Sequence, residues 1–238
     1  FSFFGQPPFS DITLDAGIDN IYDVYQGLFG GGVVAFDYNN DGYEDLFITG
    51  GQGQDVLYKN NGDATFKDIT KESGLFKDRM IVTTGVSSAD VNKDGFVDLF
   101  VTTIASQADQ SKKKKTLAPN LLYINNGDGT FTDFSSKYGI IKNNFSTSSS
   151  FGDINADGYP DLFVGNYFKN FYFEDSPFNT HNIALLNHYS INEEYETGDD
   201  QLFINVEGKY FKEVSDLLMD SGKGYGFGGV FTDFDNDN

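Results

Sequence analysis

A nine-residue frame of alternating oxygen side chains constrains this chain more than any other feature. Asp37-Tyr-Asn39-Asn-Asp41-Gly42-Tyr43-Glu-Asp45 returns as Asp90-Val-Asn92-Lys-Asp94-Gly95-Phe96-Val-Asp98 and as Asp153-Ile-Asn155-Ala-Asp157-Gly158-Tyr159-Pro-Asp161. A fourth copy opens with Asp233-Phe-Asp235-Asn-Asp237. Carboxylate or amide oxygens fall at loop positions 1, 3, 5 and 9, and Gly at position 6 permits a sharp turn. A short loop built this way wraps a hard cation. Ca²⁺ suits it better than Mg²⁺, because Ca²⁺ accepts six to eight oxygens in a flexible cage while Mg²⁺ holds on to its waters.

The frame departs from an EF-hand after six positions. An EF-hand needs a bidentate Glu at position 12 and flanking helices, whereas position 12 here is Ile48, Val101 or Val164. Each loop leads into Asp-Leu-Phe-Ile/Val, a short run of strand formers. The expectation is therefore a calcium loop between two strands. A set of polar β-turns is the plainer alternative, since Asn, Asp and Gly dominate turns, but three copies in one ligand register favour the metal. The expected ligands are the side chains of Asp37, Asn39, Asp41, Asp45, Asp90, Asn92, Asp94, Asp98, Asp153, Asn155, Asp157, Asp161, Asp233, Asp235 and Asp237, with the backbone carbonyls of Tyr43, Phe96 and Tyr159.

A second motif interleaves with the first. Leu57-Tyr-Lys-Asn-Asn61-Gly62-Asp63-Ala-Thr-Phe66 aligns with Leu122-Tyr-Ile-Asn-Asn126-Gly127-Asp128-Gly-Thr-Phe131, and Leu202 to Phe211 is a degraded third copy. Two apolar runs joined by Asn-Asn-Gly-Asp read as a β-hairpin. The unit is thus strand, calcium loop, strand, connection, strand, Asn-Gly turn, strand. Four antiparallel strands per unit, with loops spaced by 53, 63 and 80 residues, predict an all-β propeller of four-stranded blades. The blades are expected at 28–75, 81–140 and 147–218, with the start of another at 225–238. Residues 9–18 match the last strand of a blade and have no preceding strands to pair with. A propeller often closes by completing one blade from both termini, so the chain is expected to be part of a ring, of about seven blades when complete.

These motifs resemble the FG-GAP/VCBS repeat proteins, which include the integrin α-subunit propeller and the ASPIC/UnbV-type, cartilage acidic protein-like secreted proteins. The signature stands as Leu28-Phe29-Gly30-Gly31-Gly32-Val33 and Phe227-Gly228-Gly229-Val230, and Gly85-Val86 keeps part of it. The third repeat departs, because Ser148 stands where the others have Gly. The resemblance implies the propeller and its calcium, and it leaves function open: such scaffolds serve adhesion, scaffolding and some lyases.

Composition narrows the partners. Lys plus Arg number 16 against 36 Asp plus Glu, a net charge of −20, which four Ca²⁺ would reduce to about −12. Such acidity argues against nucleic acid or an anionic membrane as partner. No run approaches the roughly 20 apolar residues of a membrane span. Cysteine is absent, leaving metal as the expected staple. Loops of this kind suit millimolar calcium, hence a secreted or cell-envelope location, a bacterial outer membrane among them.

Function is expected on the face opposite the calcium loops, where strands 2 and 3 of each blade connect. The spans Asp45–Leu57, Asp98–Leu122 and Asp161–Leu202 cover 12, 24 and 41 residues, and long loops on a rigid scaffold carry binding. The longest insertion, 166–200, holds Tyr167, Phe168, Phe171, Tyr172, Phe173, Phe178, Tyr189 and Tyr195. They would form either a protein- or glycan-binding surface or a small satellite core. Lys112–Lys115 reads as an acidic-partner dock or a solvated loop tip. His181 and His188 make a weak zinc case against ordinary surface histidines, and Asn144-Phe-Ser146 is a glycosylation sequon. No nucleophile elbow, P-loop or His-Glu-x-x-His is present. Glu193, Glu194 and Glu196 are candidate acids for glycoside hydrolysis, but acidic loop residues are common and carry no such reading alone. The expectation is a non-enzymatic binding or adhesion module, or a subunit of a larger surface complex; a calcium-dependent polysaccharide lyase or hydrolase is the alternative.

Overall fold

A computed structural model describes residues 10–23, 30–75, 81–106, 118–168, 197–218 and 228–231. Among these the fold is all-β, with one 3-10 turn at Ser215–Leu217. Strands β1 (Val33–Phe36), β2 (Asp45–Ile48), β3 (Val56–Asn60) and β4 (Phe66–Asp68) form the first antiparallel sheet, in chain order. The second sheet runs β5 (Ile81–Ala89), β6 (Asp98–Ser106), β8 (Leu121–Asn125), β9 (Phe131–Asp133). The third runs β10 (Asn143–Gly152), β11 (Asp161–Phe168), β12 (Gln201–Val206), β13 (Tyr210–Glu213). The third sheet also gains a fifth strand, β7 (Ala118–Pro119), whose residues pair with Asn144 and Asn143. The four-strand unit thus needs one amendment. The longer connection of the second unit lends two residues to the next sheet, where β10 extends past the paired stretch of the shorter blades.

Side-chain alternation explains why the strands read as unbroken apolar runs. In the second sheet Leu99, Val101, Leu121, Tyr123 and Phe131 pack against Phe36, Phe47 and Leu57 of the first. Phe100, Leu122 and Ile124 point the other way, onto Leu162, Val164, Phe203 and Phe211 of the third. Successive residues of a strand face opposite sides, so a sheet covered on both sides needs apolar residues at every position. Phe100, fully buried, contributes about 3 kcal/mol by its removal from water.

Small residues set the spacing of the innermost strands. A Cβ on Gly32 would lie 2.8 Å from the Val86 nitrogen, and one on Gly85 2.8 Å from the Thr147 carbonyl. Hydroxyls then staple strand to strand: Thr49 Oγ1 donates to Thr84 O (2.7 Å), and Thr84 Oγ1 to Ser146 O (2.8 Å). Within each of the first two sheets the facing Gly–Thr pair is also bonded, Gly32 N to Thr49 Oγ1 and Gly85 N to Thr102 Oγ1, both at 2.7 Å. The third sheet reverses the pair. Ser148 faces Gly165, its hydroxyl fills the space above that glycine, and Ser148 Oγ is buried without a hydrogen bond.

The outer edges dock in a repeated way. Ser73 O accepts from Phe131 N (2.8 Å), and Tyr138 O from Phe211 N (2.9 Å). Ala16 O accepts from Phe66 N (2.7 Å), so the turn at 13–17 meets the first sheet as each later turn meets the sheet after it. Thr13 also repeats the Asp-x-Thr/Ser turn, accepted by Asp11, that Thr70 makes with Asp68 and Ser135 with Asp133.

Candidate metal centre

Each candidate loop joins the first two strands of its sheet, and the three share one hydrogen-bond frame. In the first, Asp37 accepts from Asp41 N (3.1 Å) and Gly42 N (2.7 Å), Asn39 Oδ1 from Asp41 N (3.3 Å), and Asp41 Oδ1 from Tyr43 N (3.1 Å). The same bonds recur from Asp90, Asn92 and Asp94 at 2.9–3.1 Å, and from Asp153, Asn155 and Asp157 at 2.7–3.1 Å. Position 4 is left-handed in every copy, with φ of 56° at Asn40, 60° at Lys93 and 57° at Ala156. Asn tolerates that region; for Lys and Ala it costs about 1 kcal/mol or more. Three loops hold the same strained geometry, so the frame rather than the local residue decides it.

Position 9 is the buried anchor. Asp45, Asp98 and Asp161 are 0% exposed. One oxygen of each accepts the position-2 amide, from Tyr38 (3.1 Å), Val91 (2.9 Å) or Ile154 (3.0 Å). The other accepts from Asn60 (2.7 Å), Asn125 (2.8 Å) or Asn205 (2.8 Å), the residue that enters the Asn-Gly turn. Burial, opposed by those two amides and reinforced by Asp94 and Asp90, pushes the Asp98 carboxyl up to about 7. Burial raises Asp45 and Asp161 likewise.

The Asn side chains reach further. Asn125 Nδ2 donates to Val97 O of its own loop (3.2 Å) and to Tyr38 O of the preceding loop (2.7 Å). Asn205 Nδ2 does the same with Pro160 O (3.2 Å) and Val91 O (2.8 Å). Asn40 Nδ2 donates to Gly95 O (3.0 Å), and Lys93 Nζ sits 4.4 Å above the Tyr159 ring. Adjacent loops therefore touch along one rim. The position-7 aromatics brace the hairpins: a Cβ on Gly62 would lie 2.7 Å from the Tyr43 ring, and one on Gly127 2.7 Å from Phe96.

A hard cation fits the donor chemistry. Each loop concentrates three carboxylates, one amide oxygen and backbone carbonyls, and a divalent ion would relieve the repulsion among those carboxylates. Each carboxylate also keeps lone pairs beyond the amides it accepts. No group of three or more His, Cys, Asp or Glu side chains stands in metal-holding geometry among the described residues. In these loops the position-9 carboxyl is turned onto backbone amides, so the amide and carbonyl oxygens would have to share the coordination. Asp233, Asp235 and Asp237 lie outside the described residues, as do Lys112–Lys115, His181, His188, Glu193, Glu194, Glu196 and the aromatics from Phe171 to Tyr195.

Other residues carry structure that the spacing alone left unassigned. Asp55, Asn120 and Asp200 each stand two residues before a Leu of the second motif. Each accepts the amide five residues past the position-9 Asp: Gly50 (2.8 Å), Thr103 (2.9 Å) and Asn166 (2.8 Å). That recurring Asx-x-Leu was the signal available. Within the sequon, Asn144 pairs with β7 and donates to Gln201, while Ser146 is fully buried. Opposite the loops, a polar cleft of about 510 Å³ is lined by Lys142, Asn144, Asp199, Asp200, Gln201 and Glu213. Lys142 pairs with Glu213 there.

The FG-GAP-like repeat family model matches residues 37–101 and 104–164. The chain belongs to the FG-GAP-like repeat family. The two matches span more than half of it; the first takes in the candidate loops at 37–45 and 90–98, and the second the one at 153–161. The chain is also 33% identical over 90 residues to Cartilage acidic protein 1 of Xenopus tropicalis, a stretch that covers 38% of this chain and 13% of that protein. The chain thus spans a small part of the relative it matches. FG-GAP membership agrees with the antiparallel four-stranded sheets and their propeller-like succession. Among the described residues, no helix is long and apolar enough to cross a membrane.

Proposed function

We propose that this chain is part of an extracellular, calcium-braced propeller that acts as a binding or adhesion module rather than as an enzyme. The observation that carries the reading is the threefold loop frame, in which a buried Asp ties each acidic loop to its own hairpin. An ion held at positions 1, 3 and 5, with the position-7 carbonyl, would neutralise carboxylates that otherwise repel, and so stiffen the blade it sits in. The residues of the chain would then present the connections of the opposite face, including the cleft beside Lys142 and Glu213, to a protein or glycan partner. FG-GAP membership and the likeness to a cartilage acidic protein support the extracellular setting.

Thermal unfolding with calcium and with chelator tests the first half. Calcium at millimolar concentration should raise Tm by several degrees, and an unchanged Tm would sink the calcium reading. A chelator-eluted pull-down from native envelope extract tests the second half. A specific protein in the eluate supports the binding module, and retention on an acidic polysaccharide alone would redirect it toward glycan chemistry.

A further inference from the structure

The three loops are not chemically equal. Lys59 Nζ lies 2.7 Å from Asp41 Oδ2, the position-5 carboxylate of the first loop. Its place in β3 corresponds to Ile124 in β8 and Ile204 in β12, each one residue before the anchoring Asn. The ammonium is also aimed: it stands 6.0 Å from the ring centre of Tyr38. Tyr38 occupies loop position 2, where the other loops carry Val91 and Ile154. The Tyr38 ring packs in turn 6.4 Å from Phe131 of the next sheet, so the platform under Lys59 is fixed by buried structure. Among the described residues no lysine pairs with Asp94 or Asp157. Beside the third loop, the charge of Lys93 rests on the Tyr159 ring and Lys209 pairs with Glu207.

Resting on the calcium reading above, we infer that Lys59 is a built-in competitor that makes the first loop the weakest calcium site of the three. A divalent ion at positions 1, 3 and 5 must take Asp41 from Lys59 or bind beside its positive charge. Either route lowers affinity in this loop alone. The penalty is about three- to tenfold in Kd, from the loss of an exposed ion pair and the repulsion of like charges in high dielectric. As calcium falls, this loop empties first, and the ammonium then takes the place of the ion against Asp41. Lys59 is a tuning residue in this scheme and contributes no ligand.

The test is a calcium titration of the whole chain by calorimetry, with melting followed in parallel. Lys59→Met keeps the stem over Tyr38 and removes the charge; it should tighten the weakest class of site about three- to tenfold. Lys59→Arg keeps the charge and should leave that class weak. Melting should separate this from a general stability change. In chelator Lys59→Met loses a pairing and melts no higher than the parent, while its calcium-induced rise is larger. Calcium binding that is intact and identical in parent and Lys59→Met would overturn the inference and leave the loops as calcium sites. No calcium binding by the parent at all would overturn both.

Discussion

The reversed pair in the third sheet gives a sharp quantitative test. In the first two sheets a Gly amide donates to the hydroxyl oxygen of the Thr that faces it from the neighbouring strand, at 2.7 Å each time. At Ser148 and Gly165 the small residue and the hydroxyl have changed strands. Replacing Gly165→Thr alone puts a Cβ 2.7 Å from Ser148 Oγ, an overlap worth about 1–3 kcal/mol of destabilisation. Replacing Ser148→Gly alone removes an unpaired buried hydroxyl, a gain of about 1 kcal/mol, but adds chain entropy and an empty space that cost about as much. Together, Ser148→Gly with Gly165→Thr rebuilds the arrangement of the other two sheets. The introduced hydroxyl reaches the amide at position 148, and the overlap disappears. The expected coupling is about 2 kcal/mol in favour of the double variant, against roughly 0.3–0.5 kcal/mol for independent sites. Urea unfolding at fixed calcium measures all four proteins. Additive effects would refute the claim that these residues are one interchangeable contact.

Further outcomes follow from other contacts. Asp94→Ala removes the position-5 carboxylate of the second loop, and should abolish much of the calcium-dependent rise in Tm. Loss of the rise without loss of the chelator-state fold marks a ligand rather than a scaffold residue. Asn125→Ala strips donors from Tyr38 O and Val97 O; leaving buried carbonyls unpaired should cost about 2–3 kcal/mol by urea unfolding. Burial raises the Asp55 carboxyl above its usual range, against hydrogen bonds from Thr83 and Gly50. The folded state therefore holds that proton longer than the unfolded chain, and stability falls as pH rises from the ordinary carboxylate range through the raised value. Asp55→Asn should flatten that slope and raise stability at neutral pH, as read from the difference in urea midpoints between parent and variant.

The repeated acidic frame and the Leu-to-Phe hairpins made the all-β, antiparallel arrangement legible from local spacing, because period-2 strands and Asn-Gly turns are short-range signals. The loop hydrogen bonds at Asp37, Asp90 and Asp153 follow from that same spacing. What spacing could not reveal joins residues far apart in the chain. Asn125 and Tyr38 are 87 residues apart, and Asn205 and Val91 114, so each Asn read only as a turn residue. The fifth strand, Ala118–Pro119, carries a proline and two residues of pairing, too little for any pattern. Asp55, Asn120 and Asp200 did share a step to the following Leu. Their role emerged only when each carboxyl or amide was seen closing the strand behind it.

The Asn contacts made from the hairpins to neighbouring loops have a direction. Asn125 of the second unit serves the first loop, and Asn205 of the third unit serves the second; neither bond runs the other way. Units joined in this manner form a queue in which every member is finished by its successor. Such a queue is complete only when its last member is followed by its first. Circular closure would then be a demand of hydrogen-bond bookkeeping at the loops as much as of shape, and adding or deleting a unit would be felt upstream, one place back along the chain.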